Sequence, residues 1–388
     1  MDFSLTDDQQ AIREAVRKTC AAFDDDYWLE HDRTGEFPFD FHAAMAEGGW
    51  LGIAMPEEFG GAGLGVTEAA LMMHAVANSS GAMSAASAIH INIFGPHPIV
   101  VFGSDQQKQR WLPDLIGGKV KACFGVTEPD AGLNTTSIKT RAERNGDDYV
   151  IHGKKIWTST AMEADKIMLL TRTTPKEDGE RPTDGLTLFY TDLNRDFCDV
   201  REIPKMGRSA VDSCEVFIDG LPVPGEDRIG EEGQGFHTLL HSLNPERILI
   251  GAEAIGIGQN ALARATQYAK DRVVFDRPIG QNQSIQHPLA QSWIELEAAF
   301  LMAMKAAHLY DTEQPCGSEA NAAKYLGGEA GFQACTCAVM THGGMGYAKE
   351  FHVERLMREV MIARLAPVSP QLILCNIAEK ALGLPKSY

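Results

Sequence analysis

The chain lacks any CxxC pair: its cysteines, at positions 20, 123, 198, 214, 316, 335, 337 and 375, are dispersed. That spacing suggests neither a zinc site nor a disulfide framework, so no metal is expected and a reducing compartment fits best. Basic charge is also scarce. Against 53 acidic residues there are only 35 basic ones, a net charge of −18, which opposes binding to nucleic acid or an anionic membrane. The start, Met1-Asp2-Phe3-Ser4-Leu5-Thr6-Asp7-Asp8, has neither the basic and apolar blocks of a signal peptide nor the composition of a transit peptide, so a cytoplasmic location is expected. No uninterrupted apolar run is expected to be long enough to span a bilayer. Internal repeats and low-complexity segments are missing as well. The glycine cluster Phe59-Gly60-Gly61-Ala62-Gly63 lacks phosphate-loop spacing and reads as a turn.

What is present is ample apolar material. With 388 residues, 44% of them hydrophobic, the chain can bury a large core and divide into two or three domains. Thr6 and Gln9 form a candidate capping box, after which Ile12, Ala15, Val16, Thr19, Cys20 and Phe23 recur at helical spacing. Further helical patterns cover 41–48, 66–77, 84–101 and 105–116. From about residue 122 the period becomes strand-like, at 148–151 and 155–157 around a His152-Gly153 turn, then at 166–172 and 186–191. Residues 175–184 read as an exposed hairpin tip and 221–235 as the exit into helices, which then occupy 236–271, 285–310, 318–341 and 370–382. The expected domains are a helical one at 1–121, a β domain at 122–234 and a helical one at 235–388.

The chemistry-bearing residues concentrate in three places. Gly125-Val126-Thr127-Glu128-Pro129-Asp130-Ala131-Gly132 forms a turn, followed by a strand pair ending in Lys155-Ile156-Trp157-Thr158-Ser159-Thr160. Arg272-Val273-Val274-Phe275 precedes Pro278-Ile279-Gly280 and Gln283. Gly343-Gly344-Met345-Gly346-Tyr347 precedes Glu354-Arg355-Leu356-Met357-Arg358-Glu359. On these motifs, and on their order along nearly the whole chain, the sequence resembles the acyl-CoA dehydrogenase family.

The resemblance implies an α+β fold with an N-terminal helical domain, a middle β-barrel-like domain and a C-terminal four-helix bundle. It also implies bound FAD. Val126 and Thr127 would bond the pyrimidine edge of the isoalloxazine, Trp157 would pack on the ring, and the Ser159 hydroxyl would reach the hydride-accepting nitrogen. Fixed donors at such an edge stabilise the charge that reduction creates. Arg272, Phe275 and Gln283 would reach the flavin nucleotide of a neighbouring subunit in a homotetramer, an arginine fork being suited to a pyrophosphate. Gly343 and Gly344 would let backbone approach a phosphate or sugar. Phe124, Leu133, Asn134, Met340 and Ser369 complete the implied cofactor contacts. Two of these depart from the family pattern: Gly132-Leu133-Asn134 replaces Gly-Ser-Asp, and Met340 stands where a glutamine is usual.

The catalytic base is a larger departure. Many members carry a glutamate where this chain has Pro367, in Ala366-Pro367-Val368-Ser369. Proline can neither abstract a proton nor donate a backbone N–H to the thioester carbonyl. Isovaleryl-CoA and long-chain members place the glutamate on a helix immediately before an arginine, and Asn244-Pro245-Glu246-Arg247 aligns with that segment. Glu246 is therefore the candidate base, with Asn244, Arg247, His90, Phe94 and Val368 as candidate substrate contacts.

The implied reaction is dehydrogenation of an acyl-CoA to a trans-2-enoyl-CoA, with electrons passed to an electron-transferring flavoprotein. His90 and Phe94 align near positions that line the acyl tail in relatives, and with their bulk the resemblance implies a short, medium or branched acyl group. An acyl-CoA oxidase, a base-lacking desulfinase-like member and a non-catalytic CoA-binding protein are the alternatives.

Overall fold

The computed structural model describes residues 4–387. Helices α1 (Asp7–Cys20), α2 (Asp25–Thr34), α3 (Phe39–Glu47), α4 (Val66–Ala77), α5 (Ala82–Phe94), α6 (His97–Phe102) and α7 (Asp105–Ile116) come first. The capping box of α1 forms as its sequence predicts: the Gln9 amide donates to Thr6 Oγ1 at 3.2 Å, and the Thr6 amide donates to Gln9 Oε1 at 3.1 Å. The pattern expected as one helix over 84–101 is two, because Pro96 has no N–H with which to continue the ladder beyond Gly95. Contrary to the expectation of no such run, Ala82–Phe102 is long and apolar enough to cross a membrane, with mean hydropathy 1.3. Its window is 67% buried within the fold, the behaviour of a core element.

Strands β1 (Ala122–Gly125), β2 (Arg141–Asn145), β3 (Asp148–Ser159), β4 (Lys166–Arg172), β5 (Leu186–Asp192), β6 (Cys198–Glu202), β7 (Ser213–Val223) and β8 (Arg228–Ile229) form one sheet in the order β6-β7-β3-β2-β4-β5-β8, with β1 parallel on β4. On β4, Ile167 and Leu169 point into one apolar cluster with Phe189 and Val216, while Met168 and Leu170 point into another with Trp111 and Leu115 of α7. The period-two pattern is thus buried on both faces.

The expected break at His152-Gly153 is absent, since both residues lie inside the continuous β3. The turn is instead the two-residue loop Gly146-Asp147, with Asn145 paired to Asp148. Gly153 serves close approach: a Cβ there would lie 2.3 Å from Thr140 Oγ1.

Helix α8 (Gly235–Asp271) leads through the ribbon β9 (Val273–Val274) and β10 (Arg277–Pro278) to α9 (Gln283–Asp311) and α10 (Gly317–His342). The C-terminal segment adds α11 (Val353–Val360), α12 (Ile362–Leu365) and α13 (Pro370–Lys380). Helices α8 and α10 touch almost backbone to backbone, since a Cβ on Gly327 would meet the Gly251 carbonyl oxygen at 2.5 Å. The main apolar core runs from α1 and α2 through α4 and α5 to α8, α9 and α10.

Candidate active site

The turn after β1 is held from beneath by a buried ion pair. Lys155, with no exposed surface, donates from Nζ to Glu128 Oε1 at 2.9 Å and to the Val126 carbonyl at 3.1 Å. Glu128 also accepts from the backbone N–H groups of Lys139 (2.6 Å) and Thr140 (2.9 Å). Burial pulls the Lys155 ammonium down to about 8, with Glu128 opposing that fall. The Ile156 amide bonds the Thr127 carbonyl at 2.9 Å, so Val126 and Thr127 are clamped against β3 by their backbone oxygens. Their side chains stay half-buried, as does Phe124.

Between Lys155 and Thr158, β3 carries one residue more than its partner β7. That bulge puts Trp157 at φ 59° with 56% of its surface exposed. Just beyond it, Ser159 Oγ lies 3.4 Å from Ser213 Oγ. Thr158 Oγ1 is buried with no protein partner.

Glu246 sits on α8 immediately after Pro245. It is closely surrounded yet keeps intermediate exposure. Burial pushes it up to about 7, with His90 and Arg247 pulling against that shift and Glu253 adding to it. Arg247 is steadied by donating from Nη1 to Asn244 Oδ1 at 3.0 Å, while Asn244 Nδ2 lies 3.7 Å from Cys316 Sγ.

His90, expected against an acyl tail, is half of a buried ion pair, with Nδ1 2.6 Å from Glu253 Oε1. Burial works against its charge, but Glu253 overrides burial and raises its pKa. Phe94, at 2% exposure, packs on His90 and Phe124. With Pro245 and Leu249 it borders a cavity of about 20 Å³.

Helix α5, which carries His90 and Phe94, is capped from outside itself: Glu359 of α11 accepts from the Ser84 amide at 3.1 Å and from Ser84 Oγ at 2.7 Å. The acid of the Arg-Glu motif is therefore committed to holding that helix.

The Pro367 segment is ordered by a residue that the sequence reading missed. Lys324, 1% exposed, donates from Nζ to the carbonyls of Val368 (2.7 Å) and Arg364 (3.2 Å). Burial lowers it to about 8. Ser369 caps α13, its Oγ accepting from the Leu372 amide at 3.3 Å. Lys324 is a single charge in a largely apolar stretch and Lys155 the second of two adjacent lysines, and sequence periodicity alone does not separate such residues from solvated ones.

A second group lies on the outer surface and forms no hydrogen bond or ion pair with the first among the described residues. Arg272 and Gln283 are exposed, and Phe275 is 93% exposed on the β9–β10 ribbon. Leu133, Asn134, Gly343 and Gly344 are exposed, and Met340 is 74% exposed. Asn134 Oδ1 accepts from Thr136 Oγ1 at 2.8 Å.

Sequence profiles of the acyl-CoA dehydrogenase N-terminal, middle and C-terminal domains match residues 6–119, 123–221 and 233–380. The chain belongs to the acyl-CoA dehydrogenase family. It is 37% identical to acyl-CoA dehydrogenase FadE12 of Mycobacterium tuberculosis, over 100% of this chain and 99% of that one. The solved glutaryl-coenzyme A dehydrogenase glutaryl-CoA complex superposes with TM-score 0.94 at 30% identity, covering 100% of this chain and 98% of its own. The FAD complex of PigA superposes with TM-score 0.93 at 26% identity, covering 99% and 100%.

The family's cofactor can be tested against this chain's own surface. A flavin needs an apolar plate, hydrogen-bond partners at its edge and room for a phosphate-bearing tail. The exposed Trp157 face, the half-buried Ser159 hydroxyl and the free side chain of Thr127 meet the first two needs. A Cβ added to Gly343 or Gly344 would touch nothing within 4 Å, and the apolar surfaces of Phe275 and Met340 lie uncovered. The residues fit FAD.

Proposed function

We propose that the protein is an FAD-dependent acyl-CoA dehydrogenase that converts an acyl-CoA thioester to its trans-2-enoyl-CoA with Glu246 as base. The observation that carries this reading is the Glu246 carboxyl, enclosed on α8 and pushed up to about 7. A base with that pKa is ionised near neutral pH and still basic enough to take an α-proton. His90 and Arg247 supply the neighbouring cationic character that keeps the carboxylate populated in so enclosed a place. Pro367 leaves the alternative base position empty.

FAD, when bound, supplies the acceptor for the β-hydride. Val126, Thr127, Trp157 and Ser159 hold its ring, with Phe124 beside them. Leu133, Asn134, Met340, Gly343, Gly344 and Ser369 border its tail, and Arg272, Phe275 and Gln283 serve the flavin of a neighbouring subunit in a homotetramer. Asn244 fixes Arg247, and Val368, held by Lys324, borders the thioester end. Orienting the α and β carbons between base and ring is the principal service of the fold.

The acyl group is short, medium or branched. The free space bordered by Phe94, Pro245 and Leu249 is about 20 Å³, room for about one water rather than a long alkyl chain. An electron-transferring flavoprotein then accepts the electrons. The test is product analysis under argon with purified electron-transferring flavoprotein: an enoyl-CoA two hydrogens lighter than its substrate, formed in step with flavoprotein reduction, is expected. Peroxide formation in air at the same rate would instead indicate an oxidase.

A further inference from the structure

The loop between β6 and β7 drives an arginine inward. Arg208 has a left-handed backbone at φ 56°, a costly conformation for a residue with a side chain. The preceding Gly207 packs on α11, where a Cβ would lie 3.0 Å from the Arg358 carbonyl oxygen. Inside, Arg208 Nη1 donates to Ser87 Oγ of α5 and Nη2 donates to Ser213 Oγ of β7, both at 3.1 Å. No ion pair is formed by Arg208 among the described residues. Glu359, Glu253 and Asp212 act on it only at a distance. A half-buried cation whose side-chain bonds among the described residues go to neutral hydroxyls needs an explanation beyond stability.

We infer that Arg208 is a positioning residue that acts through Ser213 to aim the Ser159 hydroxyl toward the flavin. A guanidinium has only donors, so Ser213 Oγ must accept from it. An oxygen that accepts from a cation loses basicity, and its own O–H becomes a stronger donor. The nearby acceptor is Ser159 Oγ at 3.4 Å, in register across the β3–β7 pair. Once Ser159 accepts that proton, its own hydrogen is directed away from Ser213, to the side opened by the Trp157 bulge. Two serines alone have no preferred direction; the arginine supplies one. The inference rests on the reading above, that Ser159 faces the hydride-accepting atom. It differs from a mere strap between α5 and β7 in what it does to the bound cofactor.

The experiment is the midpoint potential of FAD bound to the purified holoenzyme, by anaerobic dye titration, for wild type, Ser213→Ala, Arg208→Met and Arg208→Lys. Ser213→Ala is expected to lower the equilibrium constant for flavin reduction about tenfold, which is a shift of about 30 mV for a two-electron couple. Arg208→Met should shift it equally, the double variant no further, and Arg208→Lys should recover part of the loss. Wild-type potentials in both single variants with only a lower melting temperature would reduce Arg208 to a strap. If Arg208→Met fails to fold, Ser213→Ala decides alone, because it leaves the Arg208–Ser87 bond in place. A flavin that acyl-CoA bleaches, with an unchanged potential in Ser213→Ala, overturns only this inference. A wild-type protein that binds no flavin overturns the functional reading as well.

Discussion

At the scale of single residues, Glu246 and Lys155 show how one fold tunes opposite charges. Glu246 is raised by burial, and its tuning bears directly on rate. Glu246→Gln keeps the shape and removes the base, so the rate of flavin bleaching by substrate should fall by about 10²–10⁴, with flavin content unchanged, in anaerobic stopped flow. In the parent enzyme kcat/KM should climb as pH rises and level off above about 7, where Glu246 is ionised. Stability runs the other way. Because the folded-state value lies above the ordinary 4.5, this carboxyl's favourable contribution is whole below about 4.5 and lost as pH rises through about 7. The candidacy of Glu246 was legible in the sequence because a glutamate directly before Arg247 is a short local signal. The Glu253 carboxylate against His90 was not, since it joins residues 163 apart in the chain.

At the scale of elements, the cradle depends on a turn tied to a strand. Replacing Lys155 by Met would leave Glu128 buried with only its backbone donors, at a cost of about 3 kcal/mol. The expected outcome is a lower melting temperature together with weaker FAD binding, followed by flavin fluorescence on dilution. A wild-type dissociation constant would free the turn from this role. Long helices with uninterrupted periodicity, such as α4 and α7, were predicted to the residue. The continuity of β3 was not, because Gly153 looks like a turn until Thr140 is seen across from it. The short helices α2 and α11 were also missed. Helix α2 is largely polar, with Trp28 its single buried residue, and α11 carries charged residues at half of its positions. The order of helix, sheet and helix was legible, since a change of period from 3.6 to 2 survives such local errors.

At the scale of the molecule, the chain keeps its inner residues together and leaves its outer ones uncovered. Phe275 at 93% exposure, with Val273 and Val274 beside it, makes an apolar ribbon suited to another subunit. On the homotetramer proposed above, Phe275→Ser should lower the assembly below four chains in sedimentation equilibrium and release flavin on dilution; a wild-type mass and flavin content would place the contact elsewhere. Such an interface is the part of a site that a single sequence reveals least, because an exposed apolar residue and a covered one read alike. The central claim, dehydrogenation by Glu246 facing a flavin, is tested most directly by the visible spectrum of the purified protein during anaerobic titration with straight and branched acyl-CoAs of rising length. The account predicts that short, medium or branched substrates bleach the flavin band in proportion to the substrate added. A protein that carries flavin and is bleached by none of them would contradict it.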